Sequence, residues 1–327
     1  MEKPKDIRWG IIGCGDVCEV KSAPAMQKIP GSSLVAVMRR NGAKAKDYAE
    51  RHGVEKWYDN AQQLIDDPEV NAIYIATPPS SHAEYTALAA AAGKPVYVEK
   101  PMARTFQECQ EMIANCQKHD VPLHVAYYRR SLPQFLKVKS LIESGAIGAI
   151  RLVQLELFQS IQPAIVRDLD NNWRVNPEIS GGGFFYDLAS HQLDYLDYLL
   201  GPIEAAKGFC ANQAGLYKAE DIVNASFRFE NGVLGTGSWC FTAGEPAVKE
   251  ETRIIGEKGQ ITFHYFTSAK VMVENENGAQ EFDFEMPTHI QQPLIELIVA
   301  DLLGRGVSPS TGKTAARTNW VIDQICT

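Results

Sequence analysis

Three residues are of types that can exchange a proton with a substrate or polarise one of its oxygens. These are Lys100, Asp187 and His191. His191 follows Asp187 by four positions in Phe184-Phe185-Tyr186-Asp187-Leu188-Ala189-Ser190-His191, behind the run Gly181-Gly182-Gly183. At 100° per residue Asp187, His191, Asp194 and Tyr198 share one helical face, and Ala189, Leu193, Leu196 and Leu200 form the opposite, apolar one. On this spacing Asp187 orients the imidazole and His191 exchanges a proton near its working pKa. The glycine run lets another chain or a ligand come close to the helix start. The plainer alternative makes Asp187 a helix-start charge and His191 a satisfied, partly buried ring. Lys100 stands in Glu99-Lys100-Pro101, directly after the apolar run Val96–Val98, where an ammonium can polarise a substrate oxygen.

A dinucleotide site is expected beside that lysine. Ile7–Ile12 is a short apolar run, and Gly13-Cys14-Gly15-Asp16-Val17-Cys18 follows it. Gly13 and Gly15 fill the first two positions of the G-x-G-x-x-G fingerprint, with Cys18 at the third. The first glycine allows the turn. The second lets the backbone, with Asp16 and Val17 opening the next helix, approach a pyrophosphate. After the second strand stands Met38-Arg39-Arg40-Asn41, without the carboxylate that usually holds the ribose 2′-hydroxyl of NAD. Two guanidiniums there suit a 2′-phosphate, so NADP(H) is expected over NAD(H). Thr77, Pro78 and His82 after the third long strand, and Glu99 with Lys100, complete the expected cofactor contacts.

Two other signals fail on spacing. Thr311-Gly312-Lys313-Thr314 resembles a phosphate loop, but Val307 occupies the position of its first glycine. The seven histidines include no H-E-x-x-H, so no metal is expected.

The elements that must position these residues change character along the chain. Strand-like runs at Ile7–Ile12, Leu34–Met38, Ala72–Ala76, Val96–Val98 and Leu123–Ala126 alternate with helical stretches at Ala43–His52, Ala83–Ala92 and Phe106–His119. That alternation predicts a doubly wound parallel sheet, with ligands beyond its carboxyl strand ends. From about residue 149 the period becomes two: Val153, Leu155 and Leu157 alternate with polar neighbours. Ala225–Glu230, Asn231-Gly232 and Val233-Leu234 predict a hairpin with a type I′ turn. Further strands are expected at Thr252–Ile255, Gln260–His264, Val271–Glu274 and Glu281–Phe284, with a surface loop over 304–312 before a last helix. The expected class is α/β: a Rossmann domain over 1–127, then a substrate-binding and oligomerisation domain over 128–327 on a mostly antiparallel sheet.

Composition excludes other classes. The chain has 327 residues, 45% hydrophobic and 22% charged, enough for about two domains. With 32 basic against 40 acidic residues its net charge is −8, and no basic stripe offers a nucleic acid or an anionic lipid a footing. No window approaches the ~20 apolar residues of a membrane helix. Met1–Asp6 runs straight into a strand without the apolar stretch of a secretory signal. Seven cysteines without a C-x-x-C pair read as reduced thiols of a cytoplasmic protein.

Gly10-Ile11-Ile12-Gly13-Cys14-Gly15, Ala76-Thr77-Pro78-Pro79-Ser80-Ser81-His82, Gly93-Lys94-Pro95-Val96-Tyr97-Val98-Glu99-Lys100-Pro101 and Gly181-Gly182-Gly183 with Asp187-x-x-x-His191 together resemble the glucose–fructose oxidoreductase/inositol dehydrogenase (Gfo/Idh/MocA) family. The resemblance implies a C-terminal α/β domain with an open-faced sheet, and oxidoreduction of a sugar, cyclitol or related polyol. Lys100, Asp187 and His191 match the family's catalytic lysine, aspartate and histidine. Arg39 departs from the Asp of many members, and the twin-arginine leader of periplasmic members is absent. Trp173 and Arg174 are candidates for substrate binding in the cleft between the domains, the alternative being a core tryptophan with a surface arginine. Two further functions stay open: an NADP-binding sensor without catalysis, and redox-neutral, glycosidase-like chemistry on a bound cofactor. An apolar open sheet face needs cover, so a homodimer, or a homotetramer made of two, is expected.

Overall fold

Six short strands, the central ones almost wholly buried, build a parallel sheet in the computed structural model, which describes residues 4–161 and 172–326. Residues 1–3, 162–171 and 327 lie outside that description. The strands are β1 (Ile7–Ile12), β2 (Ser32–Met38), β3 (Lys56–Tyr58), β4 (Ala72–Ile75), β5 (Val96–Val98) and β6 (Leu123–Val125), in the order β3-β2-β1-β4-β5-β6. Alternate side chains feed two cores. Trp9, Ile11, Val37, Tyr74 and Tyr97 pack on one face. Ile12, Met38, Ile73, Ile75 and Val98 pack on the other. Each fully buried aliphatic contributes about 1.5–3 kcal/mol. Helix starts are set by side-chain caps: Asn41 accepts from Lys44 N at 3.1 Å, and Thr105 from Glu108 N at 3.2 Å. The helix after β1 covers only Asp16–Val20, and a second begins at Ala23 with Pro24 in its first turn.

The compact units do not follow a single boundary at 127. The first runs through Ser131 and takes back Pro287–Ala316, while the second holds Leu132–Met286 and the chain from Arg317 on. The reason is apolar. The helix Gln292–Leu302 buries Leu294, Ile295, Ile298 and Val299 in the same cluster as Ile7 and Trp9. The 304–312 loop is only half at the surface. Val307 is 82% exposed, but Ser310 is buried on β6, its Oγ donating to Val125 O at 2.7 Å.

In the second unit eight strands form one sheet: β7 (Ile150–Phe158), β8 (Ile203–Ala211), β9 (Ile222–Phe229), β10 (Leu234–Cys240), β11 (Lys249–Gly256), β12 (Gly259–Phe263), β13 (Lys270–Asn275) and β14 (Gly278–Asp283). Their order is β14-β13-β12-β11-β7-β10-β9-β8, antiparallel except for β7 beside β10. Val153, Leu155, Leu157, Phe227, Ile254 and Phe263 are buried on one face. The other carries Gln154, Glu156 and Arg253 together with Leu234 and Phe209, the last 88% exposed.

The β9–β10 hairpin forms as expected, but its turn is of another type. Gly232 has φ +86° while Asn231 is not left-handed, so both central residues of a type I′ turn cannot be supplied. Gly232 N donates to Phe229 O and Phe229 N to Val233 O, both at 2.9 Å. This is a three-residue loop closing on a left-handed glycine. Among the described residues no helix is long and apolar enough to cross a membrane. None of their His, Cys, Asp and Glu side chains cluster as a metal site.

Candidate active site

The order of the first sheet sets where a ligand can sit. The chain leaves β1 toward β2 on one side and β4 on the other, and beyond that divergence the carboxyl strand ends are open to a ligand. Gly13 (φ +91°) donates to Met38 O at 2.8 Å. A Cβ there would fall 2.6 Å from Thr77 Cγ2, so only glycine fits. A Cβ on Gly15 would meet nothing nearer than Gly13 O at 3.9 Å. The chain itself does not require glycine at 15, and the space left there is the kind a pyrophosphate fills. Asp16 is exposed and Val17 half-buried at the start of the short helix. Arg39 is half-buried and Arg40 exposed at the end of β2. Burial pushes the Cys14 thiol up to about 11, against the opposing pull of Arg39.

Thr77 and Pro78 line the turn after β4, where Ser81 Oγ donates to Thr77 Oγ1 at 2.8 Å. His82 is fully buried, its Nε2 2.7 Å from Thr77 O and its Nδ1 3.1 Å from Met102 O. It ties the turn after β4 to the turn after β5 and presents no face to a ligand. Burial lowers its pKa, against both carbonyls.

Lys100 follows β5, half-buried, with a cis peptide bond to Pro101. Beneath it the Glu99 carboxylate is buried. Oε1 accepts from Tyr74 Oη and Gln291 Nε2, both at 2.6 Å, and Oε2 accepts from Lys100 N at 3.2 Å. Tyr97 Oη donates to Gln291 Oε1 at 2.8 Å, and its ring stacks on that of Tyr74 at 4.8 Å. Burial raises both phenols well above their ordinary range, so both stay protonated donors. Sequence reasoning missed Tyr74, Tyr97 and Gln291. The last stands 192 positions from its partner, and nothing local marks it.

In the second unit Asp187 sits in a wider, π-type turn over Phe185–Ala189, which passes into the helix Ser190–Leu200 with His191 in its first turn. Such turns concentrate at functional sites. The glycine run before it admits the chain's own atoms. A Cβ on Gly183 would lie 2.5 Å from Ala219 Cβ, and one on Gly182 inside the Tyr186 ring. Of the expected polar helical face His191 and Asp194 are buried while Asp187 and Tyr198 are half-buried, and Asp197 beside it is buried too. Asp194 accepts from Thr318 Oγ1 at 3.3 Å, and Asp197 from Arg317 Nε at 2.7 Å and Ile203 N at 3.0 Å.

His191 is 3% exposed, its ring edge-on to Phe266 with centroids 6.2 Å apart. Phe266 is fixed by Glu250, a residue the sequence did not single out. Its carboxylate accepts from Tyr265 N (2.6 Å), Phe266 N (3.1 Å), Thr267 N (3.1 Å) and Thr267 Oγ1 (2.8 Å). Asp187 Oδ2 pairs with Arg174 Nε at 3.4 Å, and the guanidinium lies 4.5 Å over the Trp173 ring. Arg174 and Asp187 line a cavity of about 310 Å³ with Gln159, Ser160, Asn172 and Phe241. Trp173 is half-buried behind its arginine. A second cavity, of about 300 Å³, is walled by Phe158, Ile222, Trp239 and Cys240, with no carboxylate or cation among the described residues that line it.

A doubly wound sheet with a glycine turn after β1, followed along the chain by a second α/β unit, is the architecture of a dinucleotide-binding protein. Residues 7–127 match the family model described as an oxidoreductase family, NAD-binding Rossmann fold, and residues 135–262 match the GFO/IDH/MocA C-terminal domain. The chain belongs to the Gfo/Idh/MocA family. It is 42% identical to oxidoreductase P35 of Formosa agariphila, over 98% of both chains. It is 26% identical to a 1,5-anhydro-D-fructose reductase of Ensifer adhaerens, over 94% of this chain and 91% of that one. A levoglucosan dehydrogenase solved with NADH and levoglucosan superposes with a TM-score of 0.87 at 24% identity, over 98% of this chain and 96% of that one.

Proposed function

We propose that this enzyme oxidises or reduces a hydroxyl-bearing carbon of a sugar, cyclitol or related polyol, with NADP(H) preferred over NAD(H). The carrying observation is that Gly13–Gly15, Thr77–Pro78 and Lys100 stand at the carboxyl ends of the adjacent strands β1, β4 and β5, where the sheet's winding reverses. The dinucleotide, when bound, exchanges a hydride with the substrate carbon. Gly13, Gly15, Asp16, Val17, Thr77 and Pro78 would hold it, with Arg39 and Arg40 on a 2′-phosphate, while His82 and Glu99 brace the turns from behind.

In the oxidation direction His191 takes the hydroxyl proton, and the Lys100 ammonium stabilises the oxyanion as it develops. Asp187 sets the imidazole. Its pairing with Arg174 at the 310 Å³ cavity supports a role for Arg174 in holding substrate hydroxyls. The named substrates of the relatives, 1,5-anhydro-D-fructose and levoglucosan, are compact polyols and support that class.

The test is a panel of aldoses, ketoses, anhydrosugars and inositols, each with NADPH or NADH and their oxidised forms, followed at the nicotinamide absorbance. Turnover with a polyol and tighter binding of NADPH are expected. Tighter binding of NADH overturns the cofactor preference. Substrate consumed without net change in added cofactor overturns the reaction in favour of redox-neutral chemistry.

We also propose a homodimer, or a tetramer made of two, on the open face bearing Phe209 and Leu234. A light-scattering mass equal to one 36.2 kDa chain at micromolar concentration overturns it.

A further inference from the structure

Cys210 and Cys326 place their Sγ atoms 3.0 Å apart, inside the van der Waals separation of two sulfurs. Cys210 lies on β8, and Cys326 follows the helix Gly312–Ile325. The approach is built into the packing. A Cβ on Gly208 would fall 2.7 Å from Ile325 Cγ2 and 3.1 Å from Ile325 O, so the end of this helix seats on the strand where the side chain is missing. The two thiols are half-buried, while Cys14, Cys18, Cys109 and Cys116 are buried. Cys240, also half-buried, has Thr242 Oγ1 as a neighbour at 3.9 Å. The hydrogen bond between the pair favours charge on Cys210, holding its thiol below the ordinary range, and raises that of Cys326.

We propose that Cys210 and Cys326 form a reversible dithiol–disulfide site that reacts with low-molecular-mass disulfides of the glutathione class. The Cys210 thiolate attacks one sulfur of the oxidant, and the other sulfur leaves as a thiolate and takes up a proton. Cys326 then gives up its proton and attacks Cys210 Sγ, expelling the second small thiol. The protein loses two electrons and two protons as the disulfide forms, and the oxidant is reduced to two thiols.

The bond ties the end of the chain to β8. The same helix carries Arg317 and Thr318, which hold Asp197 and Asp194 on the helix of His191. Oxidation therefore fastens the element behind that histidine. The site stands on the sulfur geometry alone and is independent of the substrate.

The experiment uses the full chain, reduced, freed of reductant and then mixed with oxidised glutathione. The expected result is a disulfide-linked peptide pair containing Cys210 and Cys326, with the titratable thiols falling by two and no lasting glutathione adduct on Cys210. Cys326→Ser should trap glutathione on Cys210, and dithiothreitol should release it. Because the bond closes a loop of more than 100 residues, the oxidised wild type should melt several degrees above the reduced form. Cys210→Ser should abolish that difference. A persistent adduct on wild-type Cys210, a disulfide through Cys240, or covalent dimers overturns the proposal.

Discussion

Each unit stations a buried carboxylate behind a residue proposed to carry chemistry, and the two are held differently. Glu99 in the first unit collects a phenol, an amide and one backbone N–H from positions 74, 291 and 100. Glu250 in the second collects three successive backbone N–H groups and a hydroxyl from residues 265–267. The first arrangement depends on side chains remote in sequence, so single substitutions elsewhere can damage it. The second depends on the backbone of one loop and on the carboxylate itself. Lys100 is therefore vulnerable through many positions and His191 through few.

The comparison is broken most severely at the supported residues. His191→Ala should lower kcat by ~10²–10⁴, the usual loss for a general acid or base. Lys100→Ala should cost at least as much, since charge stabilisation goes with it. Asp187→Asn should keep the fold and shift the pH–rate profile. Nicotinamide fluorescence titration should find cofactor still bound by the His191 variant. Near-normal turnover in both alanine variants would move the chemistry to other residues.

A smaller effect separates the units. Arg39→Asp with Arg40→Ala should weaken NADPH by roughly one to three orders of magnitude through lost charge-assisted hydrogen bonds. NADH binding should change little, and the second unit should be untouched. Equal weakening of both nucleotides would mean that the pair supports the turn after β2 and does not read the phosphate.

The carboxylates themselves come next. Glu250→Gln sets an amide N–H₂ against backbone donors and should cost about 2 kcal/mol. Glu99→Gln keeps an oxygen for Tyr74 and Gln291 and should cost about 1 kcal/mol, while slowing turnover about tenfold by freeing Lys100 N. Urea midpoints at unchanged m would rank them. The reverse ranking would refute the distinction between side-chain and backbone support.

Glu19 sharpens the contrast from the solvent side. Hydrogen bonds from Arg51 and His52 hold its carboxyl down at about 2, against an ordinary 4.5. Because the folded pKa is depressed, the stabilisation is full above about 4.5 and is lost as pH falls toward 2. The carboxylate is about a third exposed, so the gain is under ~1 kcal/mol after screening. Glu19→Gln should flatten stability against pH in that window, and an unchanged slope would assign the loss to other carboxylates.

The sequence announced what a short stretch can encode. β1, β2, β4, β5 and β6 were legible as apolar runs, and Gly13, Thr77 and Lys100 as residues at their ends. It did not announce β3 or the helix Ala61–Asp66, which are too short for a period to develop, and it gave the helix after Gly15 no end at Val20. Nor did it announce Gln291, Glu250 or Arg317, whose partners lie from 15 to 192 positions away. The partners on the His191 helix were hidden for a related reason. Asp194 and Asp197 look solvated until Thr318 and Arg317 come in from the end of the chain. The Trp239 indole is likewise satisfied by Gln192 at 2.7 Å, a pairing no periodicity reveals.

The return of Pro287–Ala316 to the first unit has a consequence for how the molecule is made. A ribosome delivers the whole first sheet by residue 125, yet Ile7, Trp9 and Val37 then lack Leu294, Ile295, Ile298 and Val299. About 160 residues of the second unit must emerge before that layer closes, so the unit translated first is completed last. Until then the Glu99 carboxylate also lacks its Gln291 amide. A nascent chain arrested near residue 131 would carry that apolar face uncovered. The finished protein offers no single cut that yields two self-sufficient halves.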